Sequence, residues 1–472
     1  MLAHVDLQAL ASACGGVLQG RNASVTGVAI DSRQISDGNL FVALRGEHAD
    51  GHDFVEAAAN NGAVGAMVDH ALPVLAAGGV AQIIVDNCEQ ALGQIASEMR
   101  QHFAGKVIGI TGSAGKTSCK NLLASVLAQC GEVHATTGNL NNELGLPLTV
   151  LALEDRHRYA VLEMGAAKHG DIRYLSEIAQ PQIALVTNVG EAHLAGFGSL
   201  QVTAATKGEI YQALPSDGIA VINNDDIFAD FWRGQLNDRP VLGFALDDDG
   251  ADVYASAIET THCGAQFTLH IAANENGRKA QSANVAMALL GLENIRNALA
   301  AAAVALALDT PLRKIVTGLQ AACPEPRRLQ RKNGVNGLTI IDDSYNANPR
   351  SMRAALDVLA ALPGRSVAVL GDMGELGDGA AQLHAEVGRY AAHVGIDALF
   401  LIGEFAKDVA SEFAGDATVC ASLEAMYDCL RAAEAHGANV LFKASRFVGM
   451  DRLVDRLLCT DDQDQLVGED AC

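Results

Sequence analysis

The sequence predicts an α/β protein of three domains: a small α/β domain, a central domain with a phosphate-loop motif and a mainly parallel sheet, and a C-terminal Rossmann-like α/β domain. Three observations carry this. The chain has 472 residues, too many for one apolar core. Apolar strand-like runs alternate with longer amphipathic stretches, which implies β-α-β units and parallel pairing. That alternation is interrupted by the proline-rich "CPEPRR" at 323–328, which reads as a hinge.

The elements follow in order. Residues 1–85 hold short strands and turns, among them "GVAIDSRQISDGNLFVALRG", and a helix-like stretch from Phe54 to Asn61. Residues 86–316 form the central series. In it Lys106 to Ile110 reads as a strand and Lys116 to Cys130 as a helix closed by Gly131. Further strands are "YAVLEMG", "QIALVTNVG" and "GIAVINNDD". Residues 317–460 begin a second series: "LTIIDDS", a helix after Pro349, "SVAVLGDM", another helix, "ALFLIG" and "NVLFKAS". Residues 461–472 are an acidic, polar tail.

Bulk properties exclude several classes. Nearly half the residues are apolar, so the chain is globular. A net charge of −23 argues against a nucleic-acid partner, which needs a basic face. An anionic small molecule remains open, since it needs only a local group of cations and amides. The start, MLAHVDLQAL, lacks a basic region and a long apolar stretch, so no signal peptide is expected. The uncharged, alanine-rich run Ala298 to Leu308 is too short to span a bilayer, and no membrane insertion is expected. Ten cysteines are scattered without a C-x-x-C pair, which points to reduced thiols and a cytoplasmic protein.

The chemistry gathers around "TGSAGKT", residues 111–117. Thr111, Gly112, Ser113, Ala114, Gly115, Lys116, Thr117 and Ser118 lie between a strand and a helix. There, amides and a helix N-terminus converge on phosphate oxygens. Lys116 would neutralise β/γ phosphates, and the Thr117 hydroxyl would reach a magnesium ion. The common first glycine of such loops is missing, since Ile110 stands in its place. Ligands of open parallel sheets sit at strand carboxyl ends. Glu163, Asn188 and Asn223 end strands, with His193 on the loop after Asn188. All should face the glycine-loop edge, where a carboxylate and an imidazole suit magnesium. Lys207 falls on a helix, where spacing alone reads it as a solvated side chain. The polar loop "TTGNLNNELGLP" (136–147) suits a sugar, peptide or phosphate. Asp342, Asp343 and Asn346 close a C-terminal strand and suit ribose hydroxyls or a solvated turn.

Together these motifs resemble the Mur ligase family, whose members use ATP to join amino acids or dipeptides to a UDP-linked muramoyl precursor. The family loop reads T-G-x-x-G-K-T, so Ile110 is a family dialect. "GNLNNELGLP", "EMG", "AHLAGFGSL", "KGEIY", "DDSYNANP" and "LGDMGELG" followed by His384 are similar to the branch whose partners are UDP-N-acetylmuramoyl-tripeptide and D-alanyl-D-alanine. The first domain resembles a uridine-binding domain. The resemblance implies ATP and two magnesium ions, a monomer, and these roles. Lys116, Lys207 and His193 are catalytic. Thr117, Glu163, His193 and a carbamate on Lys207 hold metal. Asn294, Asn297, Arg328 and Asp343 hold the nucleotide. Ser32 and Arg33 take the uridine diphosphate, and Thr137, Asn139, Asn142 and Asn346 the other substrate groups. Two residues depart from the pattern: Glu293 stands where G-x-H-N has histidine, and Ala444 where K-G-S-R has glycine. Rival readings are a sister ligase adding one amino acid, a folate polyglutamate synthetase, and a nucleotide-gated switch that makes no product.

Overall fold

Uninterrupted apolar runs such as KVIGIT and YAVLE have no polar face to offer water, so they form strands covered on both sides. In the computed structural model these strands build the middle of the molecule. The structure describes residues 5–46, 49–73, 80–190, 199–246, 248–261, 263–275, 277–432 and 437–458. His193 and the acidic tail lie outside them.

The central sheet has nine strands. From one edge they run Val133–Ala135, Tyr159–Glu163, Lys106–Thr111, Ile183–Val186, Ile219–Asn223, Val241–Ala245, Val253–Thr261, Gly264–Ile271 and Gln281–Met287. Pairing is parallel through Val253–Thr261 and antiparallel beyond it. The antiparallel meander departs from the expected strand–helix alternation. Its physical cause is the short link between Thr261 and Gly264, which leaves no length for a crossover helix. The register sets Glu163 beside Ile110 and Val186 beside Thr111. The carboxyl ends of these three strands therefore share one rim, as the sequence implies.

Helices Lys116–Ala128 and Leu292–Ala307 pack together under this sheet. Seven consecutive residues, Ala298 to Val304, are at most 1% exposed. Small side chains all round allow the second helix close approach, and the uncharged run is thus a buried core helix rather than a span. Among the described residues no helix is long and apolar enough to cross a membrane.

The first domain carries a five-stranded sheet over Val17–Gln19, Ala81–Ile84, Gly65–Val68, Asn39–Val42 and Gly27–Ala29, in that order. Its core does not close on itself. Leu7, Leu40 and Met67 share one continuous apolar cluster with Leu92, Ile95 and Met99 of helix Cys88–Gln101, and with Leu175 and Trp232 of the central domain. Arg100 of that helix is 5% exposed. Its guanidinium donates to the Ala179 carbonyl at 2.8 Å and the Gln180 carbonyl at 3.1 Å, tying off the end of helix Asp171–Ala179.

The third domain carries a six-stranded sheet ordered Gln330–Asn333, Thr339–Asp342, Asn439–Lys443, Ser366–Gly371, Ala398–Ile402 and Asp416–Val419. Only the first pair is antiparallel. Helices Pro349–Ala360 and Ala380–His393 cover one face and Met450–Leu457 the other. Residues 323–328 form neither helix nor strand.

Candidate active site

Gly112 and Gly115 adopt φ of +152° and +79°, conformations open to glycine. A Cβ on Gly112 would strike the Thr187 hydroxyl, and one on Gly115 the Asn297 side-chain oxygen. The loop is thus pressed from both sides by neighbouring elements. Asn188 clamps its middle: its side chain accepts from the Ala114 amide at 3.1 Å and donates to the Ala114 carbonyl at 2.9 Å. Thr187 donates to the same carbonyl at 2.6 Å. Gly115 caps helix Lys116–Ala128, so the helix N-terminus opens into the loop.

Four charged or polar groups meet at the helix start. Lys116 Nζ folds back to the Gly112 carbonyl at 2.8 Å. Thr117 Oγ1 donates to Glu163 Oε2 at 2.9 Å and accepts from Arg328 Nη2 at 3.1 Å. Glu163 is 2% exposed. Its other oxygen accepts from Asn141 Nδ2 at 2.8 Å, and its backbone amide donates to Thr136 Oγ1 at 2.9 Å. The structure therefore brings Lys116, Thr117, Glu163 and Arg328 together from distant parts of the chain. A buried carboxylate beside a hydroxyl is a hard-oxygen donor set, and it fits a magnesium ion. Burial pushes the Lys116 amine below its ordinary range; Glu163 opposes that shift and Arg328 adds to it.

Lys207 overturns the reading from spacing. It is 2% exposed on helix Leu200–Gln212, not solvated. That helix packs inside the protein, so most of its face from Thr203 to Tyr211 is buried. Burial, with Lys116 adding to it, holds the Lys207 amine well below the usual lysine range. Two residues on, buried Glu209 accepts from the Gly170 and Arg173 amides at 3.1 and 2.9 Å. It thereby satisfies the first turn of helix Asp171–Ala179.

On the nucleotide side, Asn297 Nδ2 donates to Asn294 Oδ1 at 3.3 Å, and Asn294 Nδ2 to the Leu290 carbonyl at 2.9 Å. The first of these touches the Gly115 position, as noted. Arg328 lies over the Tyr345 ring at 4.2 Å, and its Nε is buried with no hydrogen-bond partner in the protein. Asp343 is held on both oxygens, by Lys443 Nζ at 2.5 Å and by the Leu329 amide at 3.1 Å. Burial raises its carboxyl above the usual range, against the pull of Lys443. The departure at Ala444 is accommodated locally: its methyl is fully buried against Gly371, where a side chain would collide. Lys443 keeps its place.

Other expected residues sit apart from this cluster or outside it. Thr137, Asn139 and Asn142 are exposed on the loop before helix Gly145–Leu151, and Asn142 Oδ1 accepts from the Gly145 amide at 3.0 Å. Asn346 is exposed, with its carbonyl on Lys443. Ser32 and Arg33 form a 3-10 turn in the first domain, where Arg33 pairs with Asp31 through two contacts of 2.8 and 2.9 Å. Sequence reading passed over Asn141, Thr136 and Lys120. Lys120, 3% exposed, donates to the Thr136 carbonyl at 2.5 Å. Asn141 lies within the polar loop but could not be ranked above its neighbours without the fold. Among the described residues, one His/Asp group has metal-like spacing: His52, Asp69 and His70. His52 uses both nitrogens internally, on Asp50 and on the Asp69 amide.

A glycine loop at a parallel-sheet rim, a buried carboxylate beside it and cations delivered from a third domain define a phosphate-transferring nucleotide enzyme. The chain belongs to the Mur ligase family. Residues 110–305 match its middle domain, 327–446 its glutamate ligase domain and 24–100 the family's catalytic domain. The chain is 38% identical to the UDP-N-acetylmuramoyl-tripeptide–D-alanyl-D-alanine ligase of Escherichia coli K12, over 96% of this chain and 98% of the relative. MurF from Acinetobacter baumannii superposes with a TM-score of 0.88 at 36% identity, covering 95% of this chain and 98% of that one. MurF from Thermotoga maritima in complex with ADP gives 0.79 at 28% identity, covering 91% and 96%.

Proposed function

We propose that this chain joins D-alanyl-D-alanine to UDP-N-acetylmuramoyl-tripeptide at the expense of ATP, in peptidoglycan precursor synthesis. The observation that carries the reading is the meeting of Lys116, Thr117, Glu163 and Arg328 at the mouth of the glycine loop, in a chain collinear with ligases of that name.

In this reading the tripeptide's terminal carboxylate attacks the γ-phosphorus of ATP. The bond to the bridging oxygen breaks and ADP leaves, giving an acyl phosphate. The free amine of the dipeptide then attacks the acyl carbon; phosphate leaves, the nitrogen loses a proton and an amide remains. The first step brings two anions together, so neutralising charge is the main task. Lys116, the loop amides and Arg328, with its spare Nε–H, supply it. Magnesium, of which the family implies two ions, would neutralise phosphate charge when held by Thr117, Glu163 and His193. Burial holds the Lys207 amine well below the usual lysine range, which favours the neutral form that adds carbon dioxide. The carbamate that results turns a repelling cation into an anionic oxygen ligand. Asn294, Asn297 and Asp343 take the nucleoside. Ser32 and Arg33 take the uridine diphosphate, while Thr137, Asn139, Asn142 and Asn346 face the remaining substrate groups.

The domain limits that go with these tasks are 1–85, 86–316 and 317–460, with a tail over 461–472. The enzyme acts as a cytoplasmic monomer. Mass spectrometry of products from the tripeptide precursor, ATP, magnesium and D-alanyl-D-alanine tests the reading. The expected product is the precursor plus one dipeptide less water, with ADP and phosphate. Release of phosphate only with a single amino acid would favour a sister ligase.

A further inference from the structure

The sequence leaves one departure unexplained: a glutamate at position 293. In the structure Glu293 lies between two arginines. Arg296, one turn along its own helix, is 2.8 Å away, and Arg350 from the third domain is 3.6 Å away. Arg296 itself lies 3.7 Å from Asp225. The chain of charges thus starts in the central domain and ends on the third.

Arg350 is well placed to transmit more than charge. It is the second residue of helix Pro349–Ala360, whose first turn is fixed by a reciprocal Asn348–Ser351 capping box. From this anchored base one guanidinium nitrogen faces Glu293 and another donates to the Val189 carbonyl at 3.3 Å. The stem passes over Gly190, where an added Cβ would lie 3.4 Å from Arg350 Cδ and 3.8 Å from Ser113 Cβ. Gly190 is in turn bonded to the glycine loop. Its amide donates to Ser113 Oγ at 3.0 Å, and Ser113 Oγ donates to its carbonyl at 3.3 Å. The Ser113 amide donates to the Asn188 carbonyl at 2.9 Å. Asn188–Gly190 is therefore a strap bonded to the loop on its inner side and held by Arg350 on its outer side. The Val189 amide donates to half-buried Asp226 at 2.8 Å, which fixes the strap's third direction. A cavity of about 300 Å³, lined by Gly190, Glu293, Arg350, Arg353, Ala354 and Asp357, marks the seam between the domains.

We infer that Arg350 is a positioning residue: oriented by Glu293, it couples docking of the third domain to the shape of the glycine loop through Val189, Gly190 and Ser113. This accounts for a carboxylate at 293, which an arginine across the seam requires. It also demands arginine at 350, since two acceptors in different directions suit a planar fork and not a single ammonium point. The inference rests on the nucleotide-enzyme reading above, but not on the identity of the peptide substrates.

The test uses the full-length protein and ADP as probe, by titration calorimetry, with steady-state kinetics alongside. Couplings of this kind run to roughly 5- to 150-fold in affinity. Arg350→Met is expected to weaken ADP by about tenfold, within that range, and raise KM for ATP similarly, with KM for the muramoyl precursor unchanged within about twofold. Arg350→Lys should recover only part. Glu293→Gln should weaken ADP in the Arg350 protein and have no effect in the Arg350→Met background, the signature of one shared path. Unchanged ADP affinity in both Arg350→Met and Glu293→Gln overturns the inference, as does strict additivity in the double variant. If Arg350→Met does not fold, Glu293→Gln against wild type decides alone. Weakened ADP in a protein that makes no pentapeptide would sink the substrate reading and leave this coupling standing.

Discussion

Lys443→Met isolates the cost of stranding a buried carboxylate. Lys443 is 2% exposed and Asp343 13%, with their charged atoms 2.5 Å apart. Methionine keeps the stem's length and apolar contacts but removes the charge. It also leaves the Asn346 carbonyl without its donor at 2.9 Å. Breaking a buried pair by removing one partner costs ~3–5 kcal/mol, because the other charge stays behind uncompensated. At about 3 °C per kcal/mol for a domain of this size, the transition of the third domain should fall by roughly 10–15 °C. The loss must depend on pH. Burial already raises the Asp343 carboxyl above its ordinary range, and Lys443 opposes that. Without Lys443 it rises further. A carboxyl raised in the folded state contributes stability that is full below its unfolded pKa and is lost as pH rises through the folded one. The variant's deficit is therefore largest at neutral and alkaline pH, and narrows as acid protonates Asp343. Scanning fluorimetry across pH, with Asp343→Asn added to Lys443→Met as a partial rescue, reads this directly. A shift under about 2 °C, or one that is flat across pH, would refute the account of a desolvated pair.

Three further outcomes are expected. Gly115→Ala must place a side chain at φ +79° against Asn297; the strain alone is ~1–2 kcal/mol, so ADP affinity should drop about tenfold or more in a titration. Glu163→Gln keeps the shape of the site but removes its charge; ligation should fall by at least about a hundredfold and the magnesium requirement should rise, checked by initial rates against metal concentration. Lys207→Ala should largely abolish ligation; short carboxylates, which offer the missing oxygen ligand, should restore part of it, while wild type should depend on carbon dioxide, as initial rates with and without each will show. Near-normal rates without either would remove the carbamate from the mechanism.

What could be read in the sequence was what is local. The glycine loop, its strand and its helix are contiguous, so TGSAGKT and its flanks announce them together. The shared rim followed from parallel topology, which places Glu163 and Asn188 at strand ends without knowing their partners. The antiparallel meander after Ala245 was missed because its strands are only half covered and alternate, and the telling feature is a link too short for a helix. Lys207 was misread because burial is a tertiary property: no residue near it in sequence reveals that its helix runs through the interior. Asn141 and Glu163 lie 22 positions apart, and Arg350 and Val189 lie 161 apart. Such pairings have no trace in spacing. The same holds for Glu293, which looks like a defect in a motif until the arginine opposite is in view.

The apolar cluster that joins Leu7 and Met67 to Leu175 and Trp232 through helix Cys88–Gln101 has a practical meaning for anyone recombining these enzymes. A chimaera cut near residue 85 would tear open a common interior and leave two greasy wounds. A graft of the first domain from a sister enzyme must carry that helix with it, together with Arg100 and the helix end that it fastens. The third domain, whose own clusters close within it apart from Leu290, can be exchanged without opening a core, provided that the graft supplies Arg328 to Thr117 and Arg350 to Glu293.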